Sequence, residues 1–171
     1  MARRILLAPG ASGNPKQLAP HAKGLRDRGF EVELVILPKG TAERALPVYR
    51  DAIGHDPASL ISGGQSFGGR VASLLAAEDP PAALVLFAYP LHALGRHDAW
   101  VERTAHWPRI SCPVLLLSGE SDPFARIDLL REAVKLLPKA TLRSYPGVGH
   151  GVGPVLDDAL DEVVAFIAAN T

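Results

Sequence analysis

The nine residues Ser62-Gly63-Gly64-Gln65-Ser66-Phe67-Gly68-Gly69-Arg70 decide how the rest of the chain is read. A short apolar run, Ala58 to Ser62, leads into them, and a helical pattern, Phe67 to Ala77, leads out. Gly64-x-Ser66-x-Gly68 is the pattern of a strand that turns sharply into a helix around a serine, a nucleophile elbow. A serine at such a turn holds a strained backbone, and a side chain two residues before or after it would collide with the turn. The same residues also suit a plain glycine-rich turn whose serine merely caps the following helix. A nucleophilic serine needs partners, and these must come from elsewhere in the chain.

Length and composition bound the search. The 171 residues suffice for one domain, spanning 1–171, with a sizeable core. A composition 47% hydrophobic and 21% charged is that of a soluble globular chain. Lys+Arg and Asp+Glu balance at 18 each, so no basic stripe points to nucleic acid or to a membrane surface as partner. The single cysteine, Cys112, excludes an internal disulfide and a cysteine-rich metal site, and its place before Pro113-Val114-Leu115 makes it a buried thiol. The N-terminal apolar run stops at Pro9-Gly10, too short for a signal segment, and no run approaches the roughly 20 apolar residues of a membrane span. The expected location is the cytoplasm.

Taken in order, apolar runs predict strands at Arg4 to Ala8, Phe30 to Leu37, Ala58 to Ser62, Ala83 to Phe87, Val114 to Ser118 and Ala140 to Tyr145, the last more polar and at a sheet edge. Helical spacing fills the gaps. Asn14 caps a helix with Pro15 at its first position and Gly29 at its stop, and Thr41 caps another that contains Pro47. A short helix is expected within His97 to Ala105, then Ile127 to Leu137, and a last one opening at Gly153-Pro154. Such alternation implies an α/β fold: a doubly wound, mostly parallel six-stranded sheet with helices on both faces. Ligands of such sheets bind beyond the carboxyl ends of the strands.

Ser66 comes after the third strand, Asp122 after the fifth and His150 after the sixth, so a serine, an acid and a histidine share one edge. Each supplies a chemical need. A serine hydroxyl requires a base as it attacks, imidazole can take and return that proton, and an acid fixes its tautomer. Glu120 is the rival acid; Asp122 lies further out on its loop, where it can reach His150. The N–H of Phe67 and that of Ala11 or Ser12 are the expected oxyanion donors. Tyr89, His92 and Phe124, just past the fourth and fifth strands, are candidates for the substrate pocket, with a structural hydrogen bond the other reading of His92. His21, His55, His97 and His106 read as surface residues. The Gly10-Ala11-Ser12-Gly13 loop lacks the full dinucleotide spacing, and no acid ends the second strand.

The Pro9-Gly10-Ala11 loop, Gly64-x-Ser66-x-Gly68, Ser118-Gly119-x-x-Asp122 and Gly149-His150-Gly151 together resemble the α/β-hydrolase superfamily over essentially the whole chain. Within it the chain looks like the small cap-less group near dienelactone hydrolases. Ser66-Phe67-Gly68-Gly69-Arg70 and Tyr89-Pro90-Leu91-His92 also resemble the hydrolase-like domain in a subunit of the chromatin-associated NSL complex and its bacterial relatives. The resemblance implies Ser66 as nucleophile, Asp122 as acid and His150 as base, with no metal or organic cofactor. Two departures stand out: Pro9-Gly10 replaces the His-Gly of many relatives, and the first predicted strand is the one that precedes this loop, so the superfamily's first two strands are not expected in the fold. Leu91 to Trp107 is the only insertion over the site, which implies an open pocket. The expectation is a carboxylic ester hydrolase acting on a small-molecule ester or thioester, with oligomeric state left open. Some relatives are interaction domains, so the alternative is a catalytically silent module.

Overall fold

Runs as apolar as Ala83-Leu84-Val85-Leu86-Phe87 are satisfied only where both faces of a strand are covered, and that is what the chain builds. The computed structural model describes residues 3–171, so the first two residues of the N-terminal run lie outside it. Six strands form, at Arg4–Ala8 (β1), Glu31–Leu34 (β2), Ile61–Gln65 (β3), Ala83–Phe87 (β4), Val114–Gly119 (β5) and Ala140–Tyr145 (β6). All neighbours pair in parallel, in the order β2-β1-β3-β4-β5-β6. Among the described residues no cap domain stands over the sheet.

The helices are Ala19–Asp27 (α1), Ala42–Ile53 (α2), Phe67–Ala76 (α3), Trp100–Arg103 (α4), Ile127–Val134 (α5) and Leu156–Asn170 (α6). The two faces of the sheet have separate cores. One packs Leu6, Leu84, Leu86 and Leu116 against α2, α3 and α5, with Trp100 of α4 at its margin. The other packs Ile5, Leu7, Phe87 and Leu117 against α1 and α6. Burying each such large side chain contributes about 1.5–3 kcal/mol. Tyr49 of α2 is fully buried against β3, where its hydroxyl shares a 2.8 Å hydrogen bond with Ser62 Oγ. That burial pushes its phenol up to about 12. Among the described residues no helix is long and apolar enough to cross a membrane.

Several elements differ from expectation in instructive ways. The third strand begins at Ile61 rather than Ala58, because Pro57 starts a 3-10 turn over Pro57–Ser59. It then runs on through Gly63 and Gly64, poor strand formers that are held extended by β1 on one side and β4 on the other. The second strand is shorter, Glu31–Leu34, and its two glutamates suit a sheet edge. Helix α2 passes unbroken through Pro47, which is exposed, so the carbonyl it leaves unpaired faces water. Thr41 occupies the cap position without making a side-chain cap bond, whereas Asn14 does accept from Lys16 N, at 3.0 Å. The helix expected within His97 to Ala105 is a 3-10 turn, His97–Ala99, followed by the single turn of α4.

The register brings the strand ends level. Ala8 lies opposite Gly64, Gln65 opposite Phe87, and Gly119 opposite Tyr145. The loops that leave these residues gather on one rim.

Candidate active site

β3 ends at Gln65 and α3 starts at Phe67, leaving Ser66 alone to make the turn. Its backbone sits at φ 50° and ψ −120°, a region costly for any residue with a Cβ. Two hydrogen bonds hold it there: Ser66 N donates to Phe87 O at 2.8 Å, and Ser66 O accepts from Arg70 N at 3.1 Å. The glycines have the steric purpose expected of them. A Cβ on Gly64 would press into Gly68 and Ala8 O, and one on Gly68 would strike the carbonyls of Ala8 and Pro9. The elbow can therefore approach the loop after β1 only as bare backbone.

That loop is a tight turn, closed by Gly13 N donating to Gly10 O at 2.9 Å. Ala11 and Ser12 occupy its two central positions, so neither amide is used in closing it. The Phe67 amide, at the first position of α3, has no intrahelical acceptor. Ala11, Ser12 and Phe67 line the same cavity as Ser66.

The loops after β5 and β6 are stitched together. Glu120 N donates to Tyr145 O and Ser121 N to Val148 O, both at 2.9 Å, and Gly119 is so close to Val148 O and Gly149 O that no Cβ fits. The result places Asp122 against His150: His150 Nδ1 lies 2.8 Å from Asp122 Oδ2, and His150 Nε2 lies 3.0 Å from Ser66 Oγ. A carboxylate only accepts, so in the neutral ring Nδ1 donates to it and Nε2 is left to accept from Ser66. Asp122 is buried, with Oδ1 held by Phe124 N at 2.8 Å. Glu120 faces away, its Oε1 accepting from Ser144 Oγ at 2.7 Å.

Ser66, Phe67, His150, Ala11 and Ser12 all line one cavity of about 460 Å³, and Phe124 forms part of its wall with its ring 4.8 Å from that of His150. Tyr89 and His92 do not reach it. Tyr89 is buried behind the wall, its hydroxyl donating to Arg103 O at 2.8 Å and its ring edge-on to Trp107. His92 is fully buried; its Nδ1 donates to Ala93 O at 3.0 Å and its Nε2 accepts from Arg126 N at 3.1 Å. His92 thus ties the loop after β4 to that after β5, a structural role rather than a pocket one. Gly10 of the loop after β1 also lines it, and the remaining walls are Gln17, Gln65, Arg70, Pro90, Ala93 and Arg103, none of them anticipated. Arg70 is legible in sequence, one helical turn after Ser66; Arg103, the last residue of the single-turn helix α4, carries no signal.

The remaining histidines divide. His55 and His97 are exposed as expected. His21 and His106 are buried instead, at 5% and 6% exposure. His21 lies edge-on against Phe87, and burial lowers it to about 4. His106 bonds Ser73 Oγ at 2.8 Å; burial first, then the charges of Arg109 and Arg70, lower it to about 4.

A parallel sheet with a serine elbow, an acid after β5 and a histidine after β6 defines a class, and the chain belongs to the α/β-hydrolase family: residues 41–166 match the sequence profile of the alpha/beta hydrolase domain. A non-heme chloroperoxidase of Burkholderia pyrrocinia is 37% identical over 70 residues, covering 40% of this chain and 25% of that protein. An uncharacterised protein of Mycobacterium tuberculosis is 34% identical over 130 residues, 66% of this chain and 46% of that protein. The chain thus spans less than half the length of either relative. Among solved structures, the monoacylglycerol lipase of Paleococcus ferrophilus superposes with a TM-score of 0.82 over 98% of this chain and 95% of that one, at 16% identity. Est1E of Butyrivibrio proteoclasticus, solved with ferulic acid bound, superposes with a TM-score of 0.78 over 99% and 89%, also at 16% identity. At such identity the likeness is one of fold.

Proposed function

We propose that the protein is a serine hydrolase that cleaves a carboxylic ester or thioester of a small or exposed acyl group. The observation that carries this reading is the unbroken hydrogen-bonded path from Asp122 through His150 to Ser66, with links of 2.8 and 3.0 Å, ending at a cavity. His150 Nε2 takes the Ser66 proton as Oγ attacks the acyl carbon, and Asp122 stabilises the imidazolium. The N–H of Phe67 and that of Ala11 or Ser12 receive the oxyanion, worth roughly 3–4 kcal/mol each. Collapse breaks the bond to the leaving group, to which His150 returns the proton. Water, activated by the same imidazole, then releases the acid from Ser66.

The fold likeness to a monoacylglycerol lipase supports ester chemistry. The cavity, open and walled by Phe67, Pro90 and Phe124, supports a short acyl group. The test is hydrolysis of p-nitrophenyl acetate. His150→Ala should lower turnover by several orders of magnitude, as loss of the base does in such a unit. A His150→Ala protein working at the parental rate would overturn the mechanism.

A further inference from the structure

Two guanidinium groups line the cavity beside Ser66, those of Arg70 and Arg103, and among the described residues no aspartate or glutamate lines it with them. Arg70 is one turn of α3 beyond Ser66, and its Nε is buried without a partner among the described residues. Arg103 is steered over the cavity from α4 by its Nη1 donating to Pro90 O at 2.9 Å, while its own carbonyl is held by the Tyr89 hydroxyl at 2.8 Å. Glu102 borders an adjoining recess and Glu43 feels the charge of Arg70, yet neither forms an ion pair with these arginines. Burial, and after it the charge of Arg70, holds Arg103 below its ordinary range. Like charges turned toward one space repel unless an anion enters between them. Guanidinium forks match the planar oxygens of carboxylate and phosphate groups.

Building on the hydrolase reading above, we propose that the site takes an ester whose acyl group carries a second, anionic oxyacid function, carboxylate or phosphate, bound by Arg70 and Arg103 while Ser66 attacks the ester carbonyl. Hydrolysis adds water across the ester and leaves the remote anion unchanged. An uncharged acyl chain of the same length leaves both guanidiniums without a counter-charge.

The test pairs monomethyl esters of four- to six-carbon dicarboxylic acids with the methyl esters of the matching uncharged acids, followed by titration of released acid. The wild type should favour a charged ester by roughly tenfold or more in kcat/KM, the range of a charge-assisted hydrogen bond. That ratio should collapse in Arg70→Gln and in Arg103→Gln, and shrink with added salt. Reading a ratio within each variant cancels any general loss of activity. Arg103→Lys, which keeps the charge, should retain part of it.

Calorimetric titration with glutarate and with inorganic phosphate gives a readout independent of turnover and separates the two oxyacids. Binding of either, weakened at least tenfold in the glutamine variants, supports the anion site even if no ester turns over, in which case only the hydrolase reading falls. Equal turnover of charged and uncharged esters, with neither anion bound, overturns the proposal.

Discussion

Ser66 holds a backbone conformation that costs a non-glycine residue roughly 1–3 kcal/mol, and the structure sustains it through bonds to Phe87 O and Arg70 N. Other single residues carry their own consequences. Both buried imidazoles, His21 and His106, lie at about 4 in the fold against an ordinary 6.5. Between those values the unfolded chain binds protons that the folded chain refuses. The stability tied to the neutral rings is therefore complete above pH 6.5 and drains away as pH falls toward 4, by up to about 1.4 kcal/mol per pH unit for each ring. Urea unfolding from about pH 7 to about pH 4.5 should show that slope, and His21→Leu, which swaps an unpartnered imidazole for an apolar group, should remove about half of it, His106 supplying the rest. An unchanged slope in that variant would remove His21 from the explanation. Cys112 is 6% exposed and burial raises its thiol to about 11. It should stay unmodified by a disulfide reagent at about pH 8 in native protein and react once urea unfolds the chain. Prompt reaction of the native protein would mean that the segment leading into β5 opens.

At the scale of elements, the loops after β5 and β6 hold the acid and the histidine in register through close backbone approach at Gly119. Gly119→Ala would push Val148 and Gly149 outward, at a cost of about 1–3 kcal/mol from overpacking. The larger effect should fall on chemistry, since displacing a catalytic group by about 1 Å can cost on the order of 100-fold. Ester turnover within about twofold of the parent would show that the close approach does not position His150. This is also the scale at which sequence speaks most clearly. Strand ends and the residues just past them are readable because each apolar run is local and the parallel alternation fixes one rim for all of them. Ser66, Asp122 and His150 are read from that logic together with the Gly64-x-Ser66-x-Gly68 pattern, Asp122 being preferred to Glu120 because it lies further out on the same loop. Where the order of neighbours decides, sequence is mute: the extended Gly63 and Gly64 are held by β1 and β4, which no local propensity reveals. His21 reads as a surface residue although a contrary signal is present, since Leu18, His21, Ala22 and Leu25 form one helical stripe. The polar residue type masks its place in the core.

For the whole molecule, the sheet gathers the connections after β1, β3, β5 and β6 on one rim, and the segment after β4 supplies the opposite wall of the cavity through Pro90, Ala93 and Arg103. That wall is invisible in sequence because residues 89–107 have no period, and their placement rests on buried anchors: Tyr89 on Trp107, His92 on Arg126 N, His106 on Ser73. Fold and rim thus come from pattern, while pocket shape comes from packing. The central claim is that this arrangement makes Ser66 a nucleophile, and reaction with a fluorophosphonate tests it most directly, read by intact-mass spectrometry and peptide mapping. One adduct per chain, located on Ser66 and missing from Ser66→Ala, is the expected result. A wild type that stays unlabelled, or a Ser66→Ala protein labelled to the same extent, would contradict it.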